Sequence, residues 1–145
     1  MTHEDFVTYE QAEKLKELGF RWKCHYRFNI DKQIVPNVVY NNCGVDSDDV
    51  AVDVNFRCIG DISAPTLAQA QKWLREVKDI IIGIDFDNWH DKYECHVYKR
   101  MGYKGELIRD TYGSQLVTNE FHEDFDTYEQ AFSAGINKAL EYLKQ

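Results

Sequence analysis

A chain of 145 residues is short enough for one domain and long enough to bury a core, and its 43% hydrophobic and 14% aromatic content argues against an intrinsically disordered chain. The net charge of −8 disfavours duplex DNA and anionic membranes as main partners, because both recruit positive charge. Cys24, Cys43, Cys58 and Cys95 lack Cys-x-x-Cys spacing, no apolar h-region precedes them, and the longest apolar run, Ile80–Ile82, is far too short to span a bilayer. The expectation is a cytoplasmic protein with reduced thiols and no membrane segment.

The first helix is expected to start at a Thr8 cap and to run through Tyr9, Ala12, Leu15 and Leu18, with Gly19 and Phe20 placed for a Schellman close over Leu15. Trp22, Cys24, Tyr26 and Phe28 then alternate with Arg21, Lys23, His25 and Arg27, the pattern of a half-buried strand. Ile34 to Tyr40 reads as its hairpin partner, with Pro36 confining it to an edge. Asp46-Ser-Asp-Asp49 reads as an acidic loop, and Val50, Val52, Val54 and Phe56 alternate with Ala51, Asp53, Asn55 and Arg57 as a further strand. A second helix follows Pro65 and a Thr66 cap, burying Leu67, Ala70, Trp73, Leu74 and Val77. Ile80 to Asp87, Tyr93 to Arg100 and Glu106 to Tyr112, separated by turn-forming stretches, predict a three-stranded antiparallel meander. The third helix starts at Thr127 and buries Tyr128, Ala131, Phe132, Ile136, Ala139, Leu140 and Leu143. Gly135 inside it costs about 1 kcal/mol relative to Ala, which points to a close approach by another element. The fold class is therefore α+β: an antiparallel sheet, hairpin plus meander, packed with three capped helices in a single domain over 1–145.

One phrase occurs twice. His3-Glu-Asp-Phe-Val-Thr-Tyr-Glu-Gln-Ala12 and His122-Glu-Asp-Phe-Asp-Thr-Tyr-Glu-Gln-Ala131 differ only at the fifth position. Each holds a Thr followed three residues later by Gln, a capping box in which the hydroxyl accepts from the Gln amide and the Gln side chain returns to the Thr amide. Thr66-Leu-Ala-Gln69 is expected to use the same device. These stretches, with Ala64-Pro-Thr-Leu-Ala-Gln-Ala-Gln-Lys-Trp-Leu-Arg-Glu76 and Gly135-Ile-Asn-Lys-Ala-Leu140, resemble a family of small prophage and mobile-element proteins of gut anaerobic bacteria. The resemblance covers the helices, about a quarter of the chain. It implies a bacterial cytosolic setting and supplies no activity and no site residues.

The leading candidate site is the basic face Arg21, Lys23, His25 and Arg27 with Trp22 beside it, extended by Arg100 and its neighbours Lys99, Lys104 and Arg109 if the two sheets meet. With His neutral, Arg21 to Arg27 carries +3 in a chain whose total is −8. Such a cluster can grip a phosphate or carboxylate through bidentate arginine, whereas the plainer reading is a solvated strand face paired with nearby Asp and Glu. Trp22, Tyr26, Trp89 and Tyr103 can stack on a base or fill a partner pocket, or simply pack the sheet.

The other constellations are weaker. His3-Glu-Asp and His122-Glu-Asp offer hard metal ligands but read better as solvated residues leading into helices, where negative charge suits the positive end of the dipole. Asp85, Asp87, His90, Asp91, Glu94, Cys95 and His96 form the densest run of catalytic residue types, with Asp85 and Asp87 on one strand face. Cys24-His25 and Cys95-His96 would point to opposite faces of their strands, which opposes a shared zinc ion. No nucleophile elbow, phosphate-binding glycine loop or His-Glu-x-x-His occurs. The expectation is thus a non-enzymatic cytosolic protein-interaction module with no cofactor, no metal and no catalytic residue. The alternatives are a small anionic, nucleotide-type ligand binder and a hydrolase using Asp85, Asp87 and His96.

Overall fold

The computed structural model describes residues 2–41, 44–48, 51–57, 60–101, 113–116 and 124–144. Internal contacts divide the chain into two compact units, Met1–Ala70 and Gln71–Gln145. Helices combine with antiparallel sheets in both, so the class is α+β.

In the first unit a single 3-10 turn, His3–Asp5, leads into α1, Tyr9–Glu17. Both halves of the capping box are formed: Thr8 Oγ1 accepts the Gln11 N–H at 3.2 Å and Gln11 Oε1 accepts the Thr8 N–H at 2.8 Å. The other end closes as a Schellman motif, Phe20 N–H to Leu15 C=O at 2.9 Å and Gly19 N–H to Lys16 C=O at 3.1 Å. Gly19 takes φ +92°, which only glycine adopts without strain.

Strand β1, Tyr26–Phe28, lies between edge strand β2, Ile34–Pro36, and β5, Ile62–Ser63. The expected alternation of burial holds along Arg21 to Phe28, with Cys24 and Phe28 buried and Arg21, Lys23 and His25 exposed. The ladder itself is shorter than expected, since upstream of Tyr26 the segment holds only an isolated bridge from Cys24 to Val52. Pro36 sits on an edge, as its missing N–H requires. Beyond it the expected strand breaks at Asn37, whose N–H goes to His25 C=O and whose Nδ2 donates to Cys24 C=O at 2.7 Å. A separate antiparallel pair follows, β3, Val38–Asn41, with β4, Gly44–Asp48. The acidic stretch expected as a loop is therefore strand as far as Asp48, and Asp49 lies outside the described residues.

Val54–Arg57 corrects the sequence reading more sharply: it is a helical turn, α2, where the alternation predicts a strand. Asp53 Oδ1 accepts the Phe56 N–H at 3.3 Å, and the Asn55 carboxamide donates to Phe20 C=O and accepts from Ser63 N–H, each at 2.9 Å. These side-chain-to-backbone bonds override the β preference of valine.

Helix α3, Leu67–Val77, begins in the first unit and ends in the second. Thr66 Oγ1 accepts the Gln69 N–H at 3.2 Å, and Gln69 Nε2 donates to Lys23 C=O at 2.8 Å.

The second unit is built on β6, Ile80–Asp87, and β7, Lys92–Met101, paired without interruption from Ile80↔Lys99 to Asp87↔Lys92. Strand β8, Gly113–Leu116, completes the three-stranded sheet against Tyr98–Met101. The third meander strand is thus found after Tyr112; Glu106 to Tyr112 lies outside the described residues. Helix α4, Tyr128–Leu143, packs on β6 and β7, burying Ala131, Phe132, Ile136, Ala139 and Leu140. Each such fully buried Leu or Ile contributes roughly 1.5–3 kcal/mol of transfer free energy. Tyr128 and Leu143, expected in the core, are partly exposed. At Thr127 the hydroxyl accepts the Gln130 N–H at 3.1 Å, while Gln130 itself is exposed.

The repeated phrase has one copy in each unit and, from its Phe onward, encodes the same local structure twice. Phe6 makes an antiparallel bridge to Thr66 and Phe125 makes one to Tyr93, each two residues before the capping Thr. The Tyr after each cap then sets its ring edge-on against a strand aromatic, Tyr9 on Phe28 at 5.5 Å and Tyr128 on Tyr93 at 6.0 Å. The phrase is a bridge, a cap and an aromatic latch that dock a helix start onto a strand.

Candidate functional site

The basic face of the first unit is engaged by its own neighbours. Arg21 Nε lies 3.4 Å from Asp53, with its guanidinium 4.0 Å above the Phe56 ring. Arg27 Nε lies 3.0 Å from Asp61, and its Nη1 donates to Pro36 C=O at 2.8 Å and to Asn37 Oδ1 at 3.3 Å. Lys23 and His25 are exposed between them. Trp22 is half-buried against Phe20, and Tyr26 is edge-on to Phe6. Arg100 belongs to the second unit, exposed on β7 with its N–H on Asp79 C=O. Tyr103, Lys104 and Arg109 lie outside the described residues.

Asp85, Glu94 and His96 share the face of the β6–β7 sheet that turns away from Ile82, Cys95 and Val97, because Asp85 pairs with Glu94 and Gly83 with His96 in register. His96 Nε2 stands 3.4 Å from Asp85 and 3.7 Å from Glu94. Asp87 is spent elsewhere, on His90. Cys24 and Cys95 are buried while His25 and His96 are not, and Cys95 and His96 take opposite faces of β7. Among the described residues, no group of three His, Cys, Asp or Glu is arranged to hold a metal ion. His122 lies outside them, and His3 is exposed on the 3-10 turn.

The hairpin end of the second unit carries the most exposed large aromatic residue described. Asp87 organises the turn: its Oδ1 accepts the N–H groups of Trp89 and His90 at 3.0 and 3.4 Å, and its Oδ2 lies 2.6 Å from His90 Nδ1. Those bonds hold the Asp87 carboxyl below its ordinary range, the His90 contact first, and in return Asp87 raises the His90 imidazole above 6.5. Asp91 closes the turn at φ +54°. Trp89, on this pinned backbone, is 88% exposed. Phe86 is 51% exposed and lies 5.1 Å from Tyr93, directly opposite it in register. Tyr93 in turn meets Tyr128, 46% exposed, which stacks on Phe132 at 5.8 Å. The result is a run of rings from the buried Phe132 to the exposed Phe86 at the end of the sheet closed by Trp89.

Charge surrounds these rings. The Phe125 bridge to Tyr93 brings Asp124 and Asp126 alongside β7, and Lys92 Nζ pairs with Asp126. That hydrogen bond, with Asp124 and Asp91 near, raises the Lys92 pKa.

Trp89 is named by the sequence reading as a stacking candidate, and its signal is an indole inside a turn. Phe86 and Tyr128 are not, because only the β6–β7 register and the docking of α4 join them. Comparison with family models, curated proteins and solved structures finds no match for the chain. Among the described residues no helix is long and apolar enough to cross a membrane.

Proposed function

We propose that the protein is a non-enzymatic protein-interaction module, acting in the bacterial cytosol in a phage or mobile-element setting, and that its contact surface is the aromatic hairpin end of the second unit. The exposure of Trp89 on a backbone fixed by Asp87 carries this reading. A rigid indole costs little entropy to immobilise, and Trp and Tyr anchors ringed by polar groups dominate binding energy at protein interfaces. The setting is supported by the helix motifs that resemble mobile-element proteins.

The basic face serves this reading less well as a primary site, since Arg21 and Arg27 already hold Asp53 and Asp61. For a nucleotide-type ligand it must release those carboxylates. Thermal shift with cyclic and linear nucleotides, repeated on Arg21→Ala with Arg27→Ala, tests that alternative, and saturable stabilisation lost in the double variant would establish it. A panel of phosphoesters, glycosides and peptides tests the hydrolase alternative through turnover abolished by Asp85→Asn or His96→Ala.

A photo-crosslinking residue at position 89, compared with one at position 30, tests the proposal in cells making the protein. Ile30 is a matched control, an apolar residue 85% exposed on a turn of the first unit. A discrete adduct from position 89 alone is expected; equal labelling from both positions, or none from 89, would overturn the reading.

A further inference from the structure

Resting on the interaction reading above, we infer that the partner segment bound at the hairpin end is cationic: an arginine-bearing peptide stretch with an apolar side chain on Phe86, Trp89 and Tyr128 and its guanidinium groups at Asp91 and Asp124. Three observations combine here. Phe86 and Tyr128 are exposed and both meet Tyr93, tilted and edge-on, Tyr128 stacks on the buried Phe132, and Trp89 is exposed in the turn that joins the same two strands. The repeat copy that docks α4 places Asp124 and Asp126 beside that surface, and Asp91 stands in the turn. The two cations of the turn, His90 and Lys92, are each committed to a carboxylate, Asp87 and Asp126. The field at the rings is therefore negative, which attracts a basic segment and repels an acidic one.

Arginine fits better than lysine. A guanidinium offers a planar face to an aromatic ring and a fork of donors to a carboxylate, whereas an ammonium offers a point charge with a tight hydration shell. The chain uses that geometry internally: the Arg21 guanidinium lies over Phe56 while its Nε pairs with Asp53. At the hairpin end the ring and the carboxylates are present on the surface and the arginine is the missing third member.

The probes are short peptides alternating Arg and Leu, Lys and Leu, Glu and Leu, and Ser and Leu, and the readout is the NMR shift of the Trp89 indole N–H. The Arg peptide should give a saturable shift that weakens with salt, the Lys peptide a weaker one, and the Glu peptide none. Asp91→Asn with Asp124→Asn, which leaves the Lys92 and Asp126 pair intact, should weaken Arg-peptide binding roughly five- to tenfold, because two exposed charge pairs are lost. Trp89→Ser should abolish it, read from backbone shifts of β6 and β7. Binding of the Ser or Glu peptide as strong as the Arg peptide, no binding by any of them, or Arg-peptide binding retained in Trp89→Ser would each overturn the inference. Those results leave the cross-linking contrast between positions 89 and 30 untouched, so failure of the cationic chemistry and failure of the interaction reading are separable.

Discussion

Gly135 lies so close to Ile82 that a Cβ on the glycine would stand 2.7 Å from Ile82 Cγ2 and 3.6 Å from Cys95 Cβ. Ile82 is buried and branched at Cβ, so it has little freedom to retreat. Gly135→Ala should therefore destabilise the protein by about 1–3 kcal/mol despite the helix-propensity gain of about 1 kcal/mol. In an Ile82→Ala background the obstructing methyl is gone, and the same substitution should become neutral or stabilising. Denaturant midpoints for the four proteins of this cycle check the coupling; additive effects would mean the helix and strand are not in this contact.

The three helix starts share one bond, from an N3 amide to a Thr hydroxyl. Thr8→Ala, Thr66→Ala and Thr127→Ala each remove it and are each expected to cost about 1 kcal/mol, while the backbone N–H of residue 8 still serves the Gln11 side chain. Urea midpoints check them, and Thr66→Ala matching wild type would place the start of α3 elsewhere.

Local signals of this kind were readable from sequence because every partner lies within a few residues. The capping Thr residues, the Gly19 and Phe20 close and the β6–β7 hairpin all fall where periodicity and turn chemistry put them. Val54 and Phe56 mislead because the deciding bonds are distant: Asn55 answers to Phe20 and Ser63. Asn37 breaks its strand for the same reason, through Cys24 and His25. The basic alternation of Arg21 to Arg27 was visible, but nothing local shows that Asp53 and Asp61 occupy its arginines. Trp89 announced itself inside a turn, whereas Phe86 and Tyr128 become neighbours of Tyr93 only through tertiary packing.

The two arginines of the basic face should part company on removal. Arg27 holds Asp61, Pro36 and Asn37 in a part-buried network, so Arg27→Ala is expected to cost about 1–3 kcal/mol. Arg21 is more exposed and makes one ion pair and one ring contact, so Arg21→Ala should cost at most about 1 kcal/mol. Thermal unfolding of both variants decides whether the face is built for its own unit.

The Asp87 and His90 pair gives a pH signature at the proposed surface. Asp87 is depressed in the folded state, so its contribution is full above the ordinary carboxylate value of 3.8 and is lost as pH falls through the depressed one. His90 is raised, so its contribution is full below the ordinary imidazole value of 6.5 and is lost as pH rises through the raised one. The stability difference between wild type and Asp87→Asn should therefore be greatest between those values and shrink on either side. NMR titration of His90 should show its pKa falling in Asp87→Asn; an unchanged pKa would mean that the neighbouring Glu94 and Asp124 set it instead.

Burial pushes the Cys24 thiol up to about 12, with the neighbouring polar side chains of Ser63 and Gln69 opposing and the Asp53 charge adding. In a protein with Cys43, Cys58 and Cys95 replaced by Ser or Ala, iodoacetamide at mildly alkaline pH should leave Cys24 unlabelled until the chain unfolds. Labelling at the rate of a free thiol would contradict its burial.

Asn55 makes one residue the common fastening of three stretches of chain, those at Phe20, α2 and Ser63. The Ser63 amide proton is held by a side chain and not by a ladder, so it can trade with deuterium only when the α2 turn lifts away. Its exchange rate thus times the detachment of that turn separately from the opening of the β1–β2 ladder, which is held through backbone partners. A single proton in the middle of the first unit reports whether that unit opens piecemeal or all at once.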